Sequence, residues 1–198
     1  MSVEDYTIEE HQHRLACWAA SRAASASPKC RFKVRFGVDL IEGVGINADV
    51  KIPATAKLFD AWHKETCKRL ITLAQEREAE FNNKGKTKKS AKECFTYGVA
   101  AKLLNCYLKV RFVHPCNKSR SVDFIHPPID RLLLNALYAE DKKDERYKKF
   151  TPDWRRFRDI GWSKFDEDNY LEVIKTVKER MNGDPLWRIE FCWEGKQK

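Results

Sequence analysis

Long apolar runs are missing from this sequence, so no segment can span a bilayer as a helix, and a soluble chain with no membrane partner is expected. CxxC pairs are missing too. The seven cysteines (Cys17, Cys30, Cys67, Cys94, Cys106, Cys116 and Cys192) are odd in number and scattered, and no signal-peptide pattern precedes them. Reduced thiols in a cytoplasmic protein are therefore expected. The densest set of metal-type donors, Cys94, Cys106, His114, Cys116 and His126, lacks zinc spacing, so no metal and no other cofactor is expected. There is no GxxxxGK[ST] loop, GxSxG elbow or HExxH run, which disfavours P-loop nucleotide hydrolysis, serine hydrolysis and zinc proteolysis. Without internal repeats, a low-complexity tail or a clean linker, residues 1–198 read as a single domain.

What the chain does hold is positive charge, a formal +9 from 38 basic against 29 acidic side chains, together with six Trp and eleven Phe. A polyanion is the natural partner for such a chain, with flat side chains available to wedge between or stack on bases. A merely solvated basic surface is the alternative.

Helix signals dominate, and the expected class is mainly α. Thr7 and Glu10 form a T-x-x-E capping box that opens an Ala-rich helix in which Leu15, Trp18 and Arg22 share a face. His11 and His13, two apart, fall on different faces, so exposed or core-edge roles are expected. "CRFKVRFGVDLIEG" reads as a short extended lead-in followed by a helix to about Glu42, broken by Gly43 and Gly45. Residues 54–82 fit one long amphipathic helix, and "NNKGKTKKSAK" is a basic loop whose Lys86, Lys88 and Lys89 are candidate DNA contacts. "FTYGVAAKLLNCYLK" gives a turn and an apolar helix to about Val113. "HPCNKSRSVDF" is a second basic loop, and "PPIDRLLLNALYAE" opens a further helix with Asp130 in its first turn. "DKKDERYKKF" is charged and exposed. "FDEDNYLEVIKTVKERMNG" is a helix capped near Asp166 and stopped by Gly183, and "DPLWRIEFCW" is a short aromatic C-terminal element.

Lys102, at the foot of an apolar helix, invites two readings. Its stem can pack while the ammonium reaches water, or the amine can serve chemistry. Gly98, four positions earlier, suits a tight turn that points amides at a phosphate, and Pro127-Pro128-Ile129 stiffens the approach to Asp130. An amine and a carboxylate, each beside a rigid turn, make a candidate pair.

"YGVAAKLLNCYLK" followed by "PPIDRLLLNAL" resembles the helix-hairpin-helix superfamily of DNA glycosylases, with some likeness to its 8-oxoguanine glycosylase/lyases. Gly98, Val99 and Lys102 match the hairpin's first glycine, its valine and the lysine that attacks the sugar in bifunctional members. Pro128, Ile129 and Asp130 match the segment that bears the catalytic aspartate. Ala100 stands where the family keeps a second glycine, and Lys102 and Asp130 are further apart than is usual in the family. The resemblance implies two helical lobes around a cleft, with the hairpin and catalytic segment at about 90–140 and the N- and C-terminal helices in the second lobe. It implies double-stranded DNA gripped at Tyr97, Gly98, Val99 and Ala100, catalysis by Lys102 and Asp130, and a monomer. Cys106, four residues after Lys102, joins His126 and Trp193 as candidate lining of a base pocket. Trp18, Tyr97, Tyr107, Phe191 and Trp193 are candidate wedges. The function implied is a DNA N-glycosylase that flips out and excises a damaged or modified base, with AP-lyase activity if Lys102 forms a Schiff base. The alternatives are a non-catalytic DNA-binding protein that uses the hairpin as a backbone clamp, and a glycosylase relative repurposed for installing or removing a base modification.

Overall fold

The computed structural model describes residues 6–81, 89–115 and 120–193, which are mainly helical and contain no strand. Lys86 and Lys88 lie outside the described residues.

Thr7 accepts the Glu10 amide at 3.2 Å and starts helix α1 (Ile8–Ala24). Its inner face is small: Ala16, Cys17, Ala20, Ser21 and Ala24 are buried, which lets its backbone lie close along helix α5. Leu15 and Trp18 do share a face, but it is the outer one, where they are 50% and 54% exposed. Helix α2 (Val34–Gly43) buries Phe36, Leu40 and Ile41, and its Phe36 joins Phe32, Phe81 and Phe95 in an aromatic cluster. Helix α3 (Ala56–Glu76), capped by Thr55, ends short of the expected Asn82, with turns over residues 77–80. Helix α4 (Ala91–Cys94) is a single turn held by a Ser90–Glu93 capping box.

Thr96 then caps helix α5 (Tyr97–Leu108), in which every residue except Cys106 is buried. The apolar run seen in the sequence is therefore the central helix, with α1, α3 and α8 packed around it. It continues into a π-helical turn, Lys109–Val113. Asp130 is the N-cap of helix α6 (Arg131–Asp141), its Oδ1 accepting the Leu133 amide at 2.9 Å.

Helix α7 (Thr151–Ile160) goes beyond the sequence reading, which left this stretch unassigned. Pro152 in its first turn and the buried pair Trp154 and Phe157, three apart, are the available signals, but four charged residues between Asp153 and Arg158 dilute the apolar stripe. Gly161, at φ +85°, turns the chain sharply into the short Trp162–Lys164 turn. Helix α8 (Glu167–Met181), capped by Asp166, stops at a left-handed Asn182. The last described segment carries a 3₁₀ stretch, Leu186–Cys192, tied back through the Leu186 amide to the Asp123 carbonyl at 2.7 Å. The buried apolar side chains form one continuous cluster.

The expectation for Tyr97–Ala100 is corrected. Gly98 is a helical residue in the first turn of α5, and its amide donates to the Phe165 carbonyl at 3.0 Å. Tyr97, Gly98, Val99 and Ala100 are all buried, Gly98 against the Trp162–Phe165 turn, and the Val99 and Ala100 amides are taken by the Thr96 hydroxyl and carbonyl, so the segment offers no surface cradle for a DNA phosphate. Glycine is required there for close packing between segments, and Ala100, where a second hairpin glycine was sought, is an ordinary core residue.

Candidate functional site

The capped start of α6 places the Asp130 carboxylate against α5, and Lys102 Nζ donates to its Oδ2 at 3.2 Å. One carboxylate oxygen thus caps a helix while the other meets the amine, which fixes the carboxylate's orientation. The lysine is 7% exposed, and its ammonium lies over the Trp162 ring at 4.3 Å from the centroid. Residues 28 apart in sequence, plus a tryptophan from beyond α7, converge on one nitrogen.

Lys102 and Asp130 form a wall shared by two cavities. One, of about 290 Å³, is lined mostly by apolar groups, among them Ala19, Ala23, Val110 and Leu133, with Cys106 and Trp193. Lys109 and Glu190 are its other polar groups: Lys109 Nζ sits 2.8 Å from the Glu190 carboxylate and 4.7 Å from the centroid of the Trp193 ring. Burial raises the Glu190 carboxyl above the usual glutamate range despite Lys109. The same effect pushes the Cys106 thiol up to about 12, so Cys106 stays protonated and serves as wall, not nucleophile. The other cavity, of about 630 Å³, lies on the Trp162 side; much of its lining is apolar, but with Lys29, Arg131 and Arg158 against Asp159 its charged groups beyond the pair are cationic on balance.

Cys106 and Trp193, named from the sequence as base-pocket residues, therefore share a cavity with Lys102 and Asp130. His126 does not. It lines a separate cavity with Asp60 and His63, and both of its ring nitrogens are engaged, Nε2 with Asp60 at 3.0 Å and Nδ1 with the Tyr170 hydroxyl at 3.1 Å. Of the candidate wedges, Tyr97 and Tyr107 are core, whereas Trp18, Phe191 and Trp193 are exposed. Lys89 is exposed. Among the described residues no group of three or more His, Cys, Asp or Glu is placed to hold a metal ion.

His126 belongs to a buried chain of hydrogen bonds that one set of tautomers satisfies throughout. His63 Nε2 donates to Asn105 Oδ1 at 2.7 Å, and Asn105 Nδ2 donates to Tyr170 at 2.9 Å and to the Pro127 carbonyl at 3.1 Å. Tyr170 then donates to His126, and His126 to Asp60, whose other oxygen takes Lys178 at 2.6 Å. Asn105, one turn beyond Lys102, thus ties the Pro-Pro segment leading to Asp130 onto α5. Burial would raise the Asp60 carboxyl, but the bonds from His126 and Lys178 outweigh it and bring it down to about 2.

Burial holds His63 well below, and His126 and His13 below, the usual histidine range. The folded chain therefore keeps these imidazoles neutral, while the unfolded chain protonates them near pH 6.5. Stability should be fully present above about pH 6.5 and decline as pH falls toward the folded-state values, because the unfolded state then binds more protons. Urea midpoints measured from about pH 8 to pH 5 should fall along that course, less steeply in His63→Gln/His126→Gln, and a flat profile in the unsubstituted protein would refute it.

Three groups at the site escaped the sequence reading: Trp162, and the Lys109–Glu190 pair. Trp162 follows a lone glycine and shows no period, and nothing local links Lys109 to a residue 81 positions away. Scans of protein-family models, curated proteins and solved structures return no match for this chain.

Proposed function

We propose that this chain is a DNA N-glycosylase with AP-lyase activity, acting as a cytoplasmic monomer on a damaged or modified base flipped out of double-stranded DNA. The observation that carries the reading is the Lys102–Asp130 pair, 3.2 Å apart on the wall between an apolar cavity and a cationic one. An extruded base fits the apolar side, against Trp193 and Cys106, and its sugar then lies at the pair. Lys102 gives up a proton to the departing base and attacks C1′ as the neutral amine. The C1′–N bond breaks, its electron pair leaves with the base, and the base takes up that proton. Asp130 stabilises the positive charge that builds on the sugar as this bond stretches. Opening of the sugar ring gives a Schiff base on Lys102, loss of a C2′ proton expels the 3′ phosphate, and water then releases the lysine.

The test uses duplexes bearing an abasic site, or oxidised, alkylated, deaminated or glycosylated bases, with borohydride to trap the imine. Lys102→Ala should lose the adduct, and Asp130→Asn should slow base release by about 10²–10³-fold, with circular dichroism verifying that both fold. If both variants release every base as the unsubstituted protein does, the reading is wrong. The clamp alternative needs Tyr97–Ala100 at the surface, and that segment is buried.

A further inference from the structure

With the hairpin segment buried, an enzyme built on this chain must hold the DNA backbone somewhere else. The cationic cavity on the Trp162 side of Lys102 offers the place. Lys29 enters it from the turn that follows α1, Arg131 from the first residue of α6, and Lys164, which ends the turn containing Trp162, stands beside Lys29. All three are exposed. Among the described residues none of the three has a carboxylate partner, whereas Lys64, Lys109, Lys143 and Lys178 each have one within 3 Å. Arg158, also in the lining, is partly neutralised by Asp159 at 3.8 Å and rests over the Tyr138 ring. Desolvation and the like charges of Lys164 and Lys89 hold the Lys29 ammonium below the usual lysine range. The carboxylates in the lining, Asp130 and Asp159, are engaged by Lys102 and Arg158, so the charge of Lys29, Lys164 and Arg131 is stabilised by an anion from outside.

We infer that this cavity holds a backbone phosphate of the DNA, with Lys29, Lys164 and Arg131 as its contacts. The assignment of the ligand to DNA rests on the glycosylase reading. The two cavities meet at Lys102 and Asp130, so a nucleotide with its base on the apolar side and its sugar at the pair has a phosphate on the cationic side. The grip expected of a hairpin is thereby supplied by side chains from three separate segments.

Fluorescence anisotropy with a duplex containing a tetrahydrofuran abasic analogue, titrated over a range of NaCl concentrations, tests this. Lys29→Ala/Lys164→Ala should weaken binding and reduce the slope of log K against log salt by up to about 1, the contribution of the one phosphate they share. Lys143→Ala, which removes an exposed lysine paired with Glu140, should leave the slope unchanged. An unchanged slope in the double variant overturns the inference, as does failure of the unsubstituted protein to bind DNA. If inorganic phosphate raises the melting temperature only while Lys29 and Lys164 are present, and the DNA slope is the same in both proteins, the ligand is a free phosphate and the DNA assignment falls. Borohydride trapping on a duplex with a natural abasic site, and base release from the modified-base duplexes, are read separately: a changed slope with neither a Lys102 adduct nor base release keeps the phosphate site and removes the glycosylase reading.

Discussion

Asp141→Ala should destabilise the fold by about 3–5 kcal/mol, read as a lower urea midpoint with little change in the dependence on urea concentration. Asp141 is fully buried and takes three charge-assisted contacts from Arg180, at 2.6, 2.9 and 2.9 Å, and one from Trp154 Nε1 at 2.7 Å. One carboxylate therefore joins α6, α7 and α8. Arg180 is itself 8% exposed, and its guanidinium lies over the Tyr147 ring at 4.4 Å, so removing the aspartate leaves a desolvated cation with only weak compensation. The damage comes from the stranded charge and not from the lost contacts alone, so Asp141→Leu/Arg180→Met should cost much less than Asp141→Ala. If the single and double variants lose equal stability, or the single variant loses under about 1 kcal/mol, the group is not the junction described here.

Gly98→Ala should also be severe, at about 3 kcal/mol or more. A glycine within a helix ordinarily costs about 1 kcal/mol relative to alanine, so helix propensity alone favours the substitution. Packing opposes it with greater force: a Cβ at Gly98 would overlap the Trp162 carbonyl and lie 3.0 Å from the Phe165 Cβ. The overlapping atom is backbone, and the Gly98 amide already holds the Phe165 carbonyl at 3.0 Å, so the turn must move as a whole. Because that turn sets the Trp162 ring against Lys102, the proposed glycosylase activity should fall further than the unfolded fraction accounts for. Thermal melts and single-turnover rates on the same sample separate the two effects. A Gly98→Ala protein as stable as the parent would disprove the close approach.

Helices α1, α2, α3, α5, α6 and α8 were legible because caps and apolar periods act over a few residues: Thr7 on Glu10, Asp130 on Leu133, Asp166 on Asn169. Helix α7 was not, since its charges mask two buried aromatics. Lys102 and Asp130 stood out in the sequence by their order and by the rigid turns suggested for each. Whether they met depended on which face of α5 turned toward α6, and that is settled by everything packed around α5.

The sequence by itself determined the mainly helical class, most helix boundaries, the excess of positive charge and the two residues worth pairing, because each follows from local spacing or composition. Only the tertiary structure decided that Gly98 serves packing instead of a phosphate turn, that His126 bonds to Asp60 away from the cavity, and that Trp162, Lys109 and Glu190 surround Lys102. Those outcomes join residues tens of positions apart, and such pairings are set by which faces a shared core can bury together, which no short-range pattern records.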